Sequence, residues 1–232
     1  MSEPESKRGR VRDAEKTRQA ILDAAEADFA EHGFAGARID AIARASGYNQ
    51  SLLFQYFGDK LGLYAEVLRR IDRQSSELQA QLIEPLLEDE TIASDAHRFR
   101  AFLTTALGAF FDYMIEHPHI MRMIIWEHAN GWQTFAKIAS QFETKDIEQL
   151  ESVFSRARRA GLLRSDFDPV VLLLLAEQIC WLYPTSLPYY QMFLPERGIS
   201  SAIALASARE HIIAFIVAGI LVDLPATKET QH

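Results

Sequence analysis

Residues 46–60 read SGYNQSLLFQYFGDK. Two glycines, Gly47 and Gly58, bracket a run that carries Leu53, Phe54, Tyr56 and Phe57. Isolated helices below about 12 to 15 residues are marginal in water, so a helix this short must be held by packing. At about 3.6 residues per turn Leu53 and Phe57 fall together and turn inward, while Gln50, Ser51, Gln55 and Tyr56 face outward. Asn49 stands where it caps this helix, and Asp59 where it caps the next.

Upstream, RQAILDAAEADFAEHG (18–33) sets Ile21, Ala24, Ala25 and Phe29 on one helical face, and His32-Gly33 ends that helix. Ile39 to Ala45 reads as a second helix with Ile39, Ile42 and Ala43 inside, stopped by Ser46-Gly47. Two short helices joined by a tight glycine turn make a helix-turn-helix, whose second helix enters the major groove of DNA.

Strand signals are nearly absent from the rest. A fourth helix runs through LGLYAEVLRRIDRQSSELQAQL, and Pro85 with the acidic stretch behind it marks a loop near residues 85–95. HRFRAFLTTALGAFFDYMIEH carries Phe99, Phe102, Leu103, Ala106, Phe110 and Met114 at helical spacing, and His117-Pro118 restarts the chain. One long helix is expected from Trp132 to Ala160. Another opens at Asp168-Pro169, and its apolar run from Val170 to Ala176 is expected to be buried all round. A last helix spans roughly Ser200 to Val222. The fold expected is all-α, an N-terminal three-helix helix-turn-helix head on a larger helical body for ligand binding and dimerisation. The expected division is a flexible basic arm (1–12), the helix-turn-helix domain (13–62), a connecting helix (63–84) and the body (95–225).

The 232 residues are 48% apolar, which excludes a disordered chain. A net charge of −8 argues at first against a nucleic-acid partner, yet residues 7–18 hold six basic against two acidic residues. The lone cysteine, Cys180, builds no disulfide framework and fits a reducing cytoplasm; it reads as a small buried hydrophobe. The longest apolar run falls short of a bilayer, so no membrane partner is expected. With no Gly-rich phosphate loop, metal-spaced His or Cys pair or nucleophile elbow, the expectation is no catalytic residue, no metal and no cofactor.

Lys60 breaks a local rule. A cation in the first turn opposes the helix dipole, whereas an arriving phosphate would favour it and accept from the Tyr56 hydroxyl as well. The run GFAGARIDAIARASGYNQSLLFQYFGDKLGLYAEVL (33–68) closely resembles the N-terminal signature of the TetR family of transcriptional regulators, with roughly residues 16–68 covered. The resemblance implies a homodimer through the last two helices, a palindromic double-stranded DNA operator, and release by a small-molecule effector. It places Arg38, Gln50, Ser51, Leu52, Tyr56 and Lys60 against DNA, with Asn49 and Gln55 beside them. The chain departs from the family's usual small hydroxyl residue at Arg38, glycine at Ser51, threonine at Leu52 and tyrosine at Phe54. Leu52 meets a thymine methyl or packs inward.

Aromatic and methionine side chains crowd the body beyond what packing asks, which suits an apolar pocket. Phe111, Met114, Trp126, Trp132, Trp181 and Tyr189 are the expected walls, with Glu127, His128 and Gln178 to orient the ligand. Pro184 and Pro188 mark either a kinked helix or a lid. The functional reading is a ligand-responsive regulator, with an effector-independent DNA-binding protein and a helical enzyme as alternatives.

Overall fold

The computed structural model describes residues 4–82, 91–142, 145–166 and 168–222. Nine α-helices occur among them: α1 (Pro4–Gly36), α2 (Ile39–Ser46), α3 (Gln50–Phe57), α4 (Lys60–Leu82), α5 (Ala96–Glu116), α6 (Pro118–Ala129), α7 (Lys145–Arg159), α8 (Pro169–Phe193) and α9 (Ala202–Ile220). No strand is present among the described residues, only an isolated antiparallel bridge between Leu163 and Leu221. The chain divides into two compact units, residues 1–76 with 118–142, and residues 77–117 with 143–232.

In the first unit Ile21, Leu22, Ala25 and Phe29 of α1 meet Ile42, Ala43, Leu53, Phe57, Leu63, Tyr64 and Val67. Met123 of α6 and Ile138 join the same core, so a segment distant in sequence is packed onto the N-terminal helices. Gly33 breaks α1 with φ 65° and ψ 175°. A Cβ there would lie 2.8 Å from the Trp126 ring, so both backbone and space demand glycine. Ion pairs tie α1 to its neighbours: Glu26 meets Arg70 of α4 and, at 2.6 Å, His119 of α6, and Arg122 meets Glu31 at 2.8 Å.

The second unit packs Phe99, Phe102, Leu103 and Phe111 of α5 against Val153, Phe154 and Ala157 of α7. Leu172, Ala176 and Cys180 of α8 and Ile213, Ile216 and Val217 of α9 complete that core. Asp168 caps α8 by accepting from the Val170 N–H at 2.8 Å, and Ser201 caps α9 by accepting from the Ala204 N–H at 3.2 Å. Burial pushes the Cys180 thiol up to about 12, which keeps it neutral and inert.

Within the expected arm (1–12), residues 4–12 are helical as part of α1. Two expectations are corrected. The helix expected from Trp132 to Ala160 forms only over Lys145–Arg159, because residues 131–142 fold into turns and short 3₁₀ segments behind Gly131 at φ 63° and Trp132 at φ 60°. The run Val170 to Ala176 is not buried all round: Leu172 and Ala176 face the core, while Val170, Val171, Leu174 and Leu175 stand about half exposed. Of the two alternatives at Pro184 and Pro188, the chain takes the helix, since α8 continues through both. The acidic loop expected near 85–95 lies mostly outside the described residues; Ile92–Ser94 is a 3₁₀ turn. By length and composition alone, α8 and α9 are apolar enough to cross a membrane.

Candidate nucleic-acid interface

Two eight-residue helices with Gly47 between them form the head's reading unit. Gly47 takes the left-handed conformation at φ 79°, and the Tyr48 N–H returns to the Ala43 carbonyl at 3.1 Å, which ends α2 within one turn. Asn49 then starts α3, its Oδ1 accepting from the Leu52 N–H at 2.9 Å. Gly58 stops α3, and Asp59 accepts from the Gly62 N–H at 2.7 Å to open α4. Each of these stops and starts follows from a residue type at a fixed place.

Leu53 and Phe57 are buried, as the spacing requires, and they moor α3 to the first unit's core. Gln50, Ser51, Phe54, Gln55 and Tyr56 are exposed, and Leu52 is half-buried. Gln50, Ser51, Phe54 and Gln55 share one outer face, so an apolar ring sits amid the polar reading edge. Tyr56 also leans on α1, its hydroxyl donating to the Ala14 carbonyl at 3.4 Å. Asn49 spends its side-chain oxygen on the cap, so it positions α3.

Lys60 is turned back. Its Nζ lies 4.9 Å over the Phe34 ring and donates to the Ala35 carbonyl at 3.4 Å, at the end of α1. That spot offers a ring face and exposed carbonyls, both attractive to a cation. Burial lowers the ammonium's affinity for its proton, with Asp28 opposing.

Arg38 is the N-cap of α2 and makes no side-chain cap; its guanidinium instead donates from Nε to Asp40 Oδ1 at 3.0 Å. Arg44, which the sequence reading passed over, donates from Nη1 to the other oxygen of Asp40, also at 3.0 Å. Arg38 and, behind it, Arg44 hold the Asp40 carboxyl below the usual carboxylate range. The i,i+4 spacing of Asp40 and Arg44 was the available signal.

The residues expected to line an effector site separate between the two units. Trp126, Glu127, His128 and Trp132 belong to the first. Glu127 is buried there, its two oxygens accepting from the Tyr64 hydroxyl at 2.8 Å and the Phe135 N–H at 3.0 Å. His128 and Trp132 face each other with ring centroids 6.1 Å apart. Phe111, Met114, Gln178, Trp181 and Tyr189 belong to the second unit, where the first two and Trp181 are buried and Gln178 and Tyr189 exposed. Phe111 and Tyr183 approach within 6.4 Å. No group of three or more potential metal ligands occurs among the described residues.

A moored helix with a polar outer face, preceded by a glycine turn and a cation-bearing first helix, defines a DNA-binding protein of the helix-turn-helix class. The profile "Bacterial regulatory proteins, tetR family" matches residues 21–67, and "Tetracyclin repressor-like, C-terminal domain" matches residues 100–216. The chain belongs to the TetR family of transcriptional regulators, which are not enzymes. It is 34% identical to the HTH-type transcriptional repressor SCO4008 of Streptomyces coelicolor over 117 residues, 50% of this chain and 52% of that one. It is 25% identical to the repressor NicS of Pseudomonas putida over 191 residues, covering 80% of this chain and 84% of that one. The solved structure of SCO4942 from Streptomyces coelicolor superposes with a TM-score of 0.60 at 27% identity, over 88% of this chain and 98% of that one.

Proposed function

We propose that the protein is a cytoplasmic, ligand-responsive repressor that binds a palindromic operator as a homodimer and leaves it when a largely apolar small molecule binds. The observation that carries the DNA reading is the exposed face of α3, Gln50, Ser51 and Gln55, on a helix fixed from behind by Leu53 and Phe57. Glutamine bonds adenine with two hydrogen bonds, so Gln50 is assigned a base edge, with Arg38, Ser51, Leu52, Tyr56 and Lys60 on the backbone or neighbouring bases.

The homodimer is assigned to the outer faces of α8 and α9. Exposed Leu174, Leu182, Ile203 and Phe215 argue for a covering partner, and a second copy also supplies the second reading head that a palindrome needs. Covered by a second copy, this apolar surface would form the seam of a helix bundle. The effector is assigned to the second unit beside Phe111, Met114 and Trp181, where rings and a pliable thioether favour an apolar guest. Release is a population shift: operator binding requires heads about 34 to 36 Å apart, and a ligand that prefers another spacing draws the dimer away.

The test is selection of duplexes from a random-sequence library, followed by footprinting of the recovered sequence at low salt. The expected result is a protected inverted repeat with half-sites about one helical turn apart. Failure to enrich any sequence would remove the operator reading. Transcription from a promoter overlapping the recovered site then separates a repressor, which lowers it, from an activator, which raises it.

A further inference from the structure

The head carries an arrangement that a helix start does not ask for. Ser, Thr, Asp and Asn are preferred as N-caps because their oxygens accept from the first turn's N–H groups, yet Arg38 holds that place in α2 and caps nothing. A guanidinium beside the positive end of a helix is also opposed by the dipole. Its cost is offset by Asp40, one carboxylate between two guanidiniums, with Arg38 Nε on Oδ1 and Arg44 Nη1 on Oδ2, both at 3.0 Å. The Asp40 side chain is only 29% exposed, whereas Arg38 and Arg44 stand 74% and 72% exposed. The helix stability gained from such exposed pairs is small, so stability does not account for them.

Position does account for them. The cations of the segment 38–60 are Arg38, Arg44 and Lys60, and Lys60 is docked on Phe34 and the Ala35 carbonyl. Arg38 and Arg44 are thus the outstretched cations of the helix-turn-helix, and they sit on α2, the helix of such a motif that crosses the DNA backbone. A guanidinium has five N–H donors in a planar fork. Each of these spends one nitrogen on Asp40, which fixes the fork's plane and leaves its other edge toward solvent.

We infer that Asp40 is a positioning residue for DNA binding: it holds Arg38 and Arg44 as a two-pronged grip on the phosphate backbone. This rests on the operator reading above. The advantage is preorganisation, since a long side chain already held in place loses less freedom when the phosphate arrives. Arg44 thereby joins the DNA-contacting set and Asp40 becomes its support.

The idea has a sign that plain electrostatics opposes. Deleting an acid near a polyanion strengthens binding if charge alone matters; deleting a positioning acid weakens it. The probe is a duplex recovered by the selection described above, titrated across salt concentrations with wild type, Asp40→Ala, Asp40→Glu, Arg38→Gln and Arg44→Gln.

Each arginine variant is expected to bind roughly tenfold weaker and to lose about one unit of salt slope, the signature of one released phosphate contact. Asp40→Ala is expected to bind roughly threefold weaker with a shallower slope, and Asp40→Glu, which keeps the carboxylate, to recover part of both. Thermal melts equal to wild type would separate positioning from folding. If Asp40→Ala fails to fold, Asp40→Glu and the two arginine variants still carry the test through their slopes. Tighter binding by Asp40→Ala, or weaker binding with an unchanged slope, would overturn the proposal while the operator reading stands; wild type that binds no duplex removes both.

Discussion

The hydroxyl of Tyr64 donates to Oε1 of Glu127 across 2.8 Å, joining residues 63 positions apart. Glu127 is 5% exposed, and its other oxygen accepts from the Phe135 N–H. A buried carboxylate is tolerated only when its lone pairs are met. The pair therefore brings α4, α6 and the turns after α6 together around one charge, in the unit that carries the reading head.

Replacing Tyr64 with phenylalanine leaves the rings in place and takes one donor from that carboxylate. The expected cost is about 1.5 to 3 kcal/mol, measured by urea unfolding at neutral pH. Burial, with the hydrogen bond and charge of Glu127 behind it, raises the folded tyrosine's pKa above its ordinary 10.0. Below that value both folded and unfolded tyrosine keep the proton, and the contribution is complete. As pH rises past it the unfolded chain gives up its proton first, so stability falls by up to about 1.4 kcal/mol per pH unit. The gap between wild type and Tyr64→Phe should then narrow above pH 10; a gap constant through that range would contradict the assignment.

Gly62 and Gly108 are both helical glycines, and the structure separates their fates. A Cβ on Gly62 would stand 2.1 Å from the Phe57 carbonyl oxygen, whereas one on Gly108 would meet the Arg209 guanidinium at 2.4 Å. Backbone at the end of α3 has nowhere to move. Gly62→Ala should cost about 3 kcal/mol or more and shift α3, lowering DNA affinity. The Arg209 tip can swing aside, giving up a half-exposed pair with Asp112 worth about 0.2 to 1 kcal/mol, while alanine returns about 0.8 to 1 kcal/mol of helix propensity. Gly108→Ala should therefore melt close to wild type. Calorimetry on both variants distinguishes these outcomes, and equal losses would refute the contrast.

The head was legible because its signals are local. Asn49, Asp59, Gly47 and Gly58 act within a few residues of themselves, and the spacing of Leu53 and Phe57 decides their burial without help from distant chain. The surroundings of Glu127, expected to orient a ligand, were not legible, because its partners Tyr64 and Phe135 meet it only through the tertiary fold. The missing first half of the Trp132–Ala160 helix had a partial warning in Asn130-Gly131, a turn signal overridden by the helical pattern on either side. The run at Val170 misled for a different reason: apolar residues all round a helix announce burial without saying whether the cover comes from the same chain.

Lys60 must leave Phe34 and Ala35 to reach a phosphate. The contacts it abandons are a partly exposed cation–π approach, worth about 0.5 to 1 kcal/mol, and a long hydrogen bond. Lys60→Gln should lower thermal stability by no more than that. It should also weaken binding to every duplex alike and reduce the salt slope by about one. Loss of stability with an unchanged slope would make Lys60 a structural residue of the α1–α4 junction and remove it from the DNA contacts.

Ile203 is 85% exposed and Phe215 71%. Neither belongs to the second unit's core, so an aspartate at either leaves the fold's own packing intact. Phe215→Asp places a charge in the proposed bundle seam, where it would be desolvated without a partner. Sedimentation should give the mass of two chains for wild type and one for the variant, with matching far-UV spectra. Unlinking the two heads forfeits their effective concentration, so operator affinity should drop by about 10² or more. A variant that stays dimeric and keeps its affinity would place the subunit contact elsewhere than on α9.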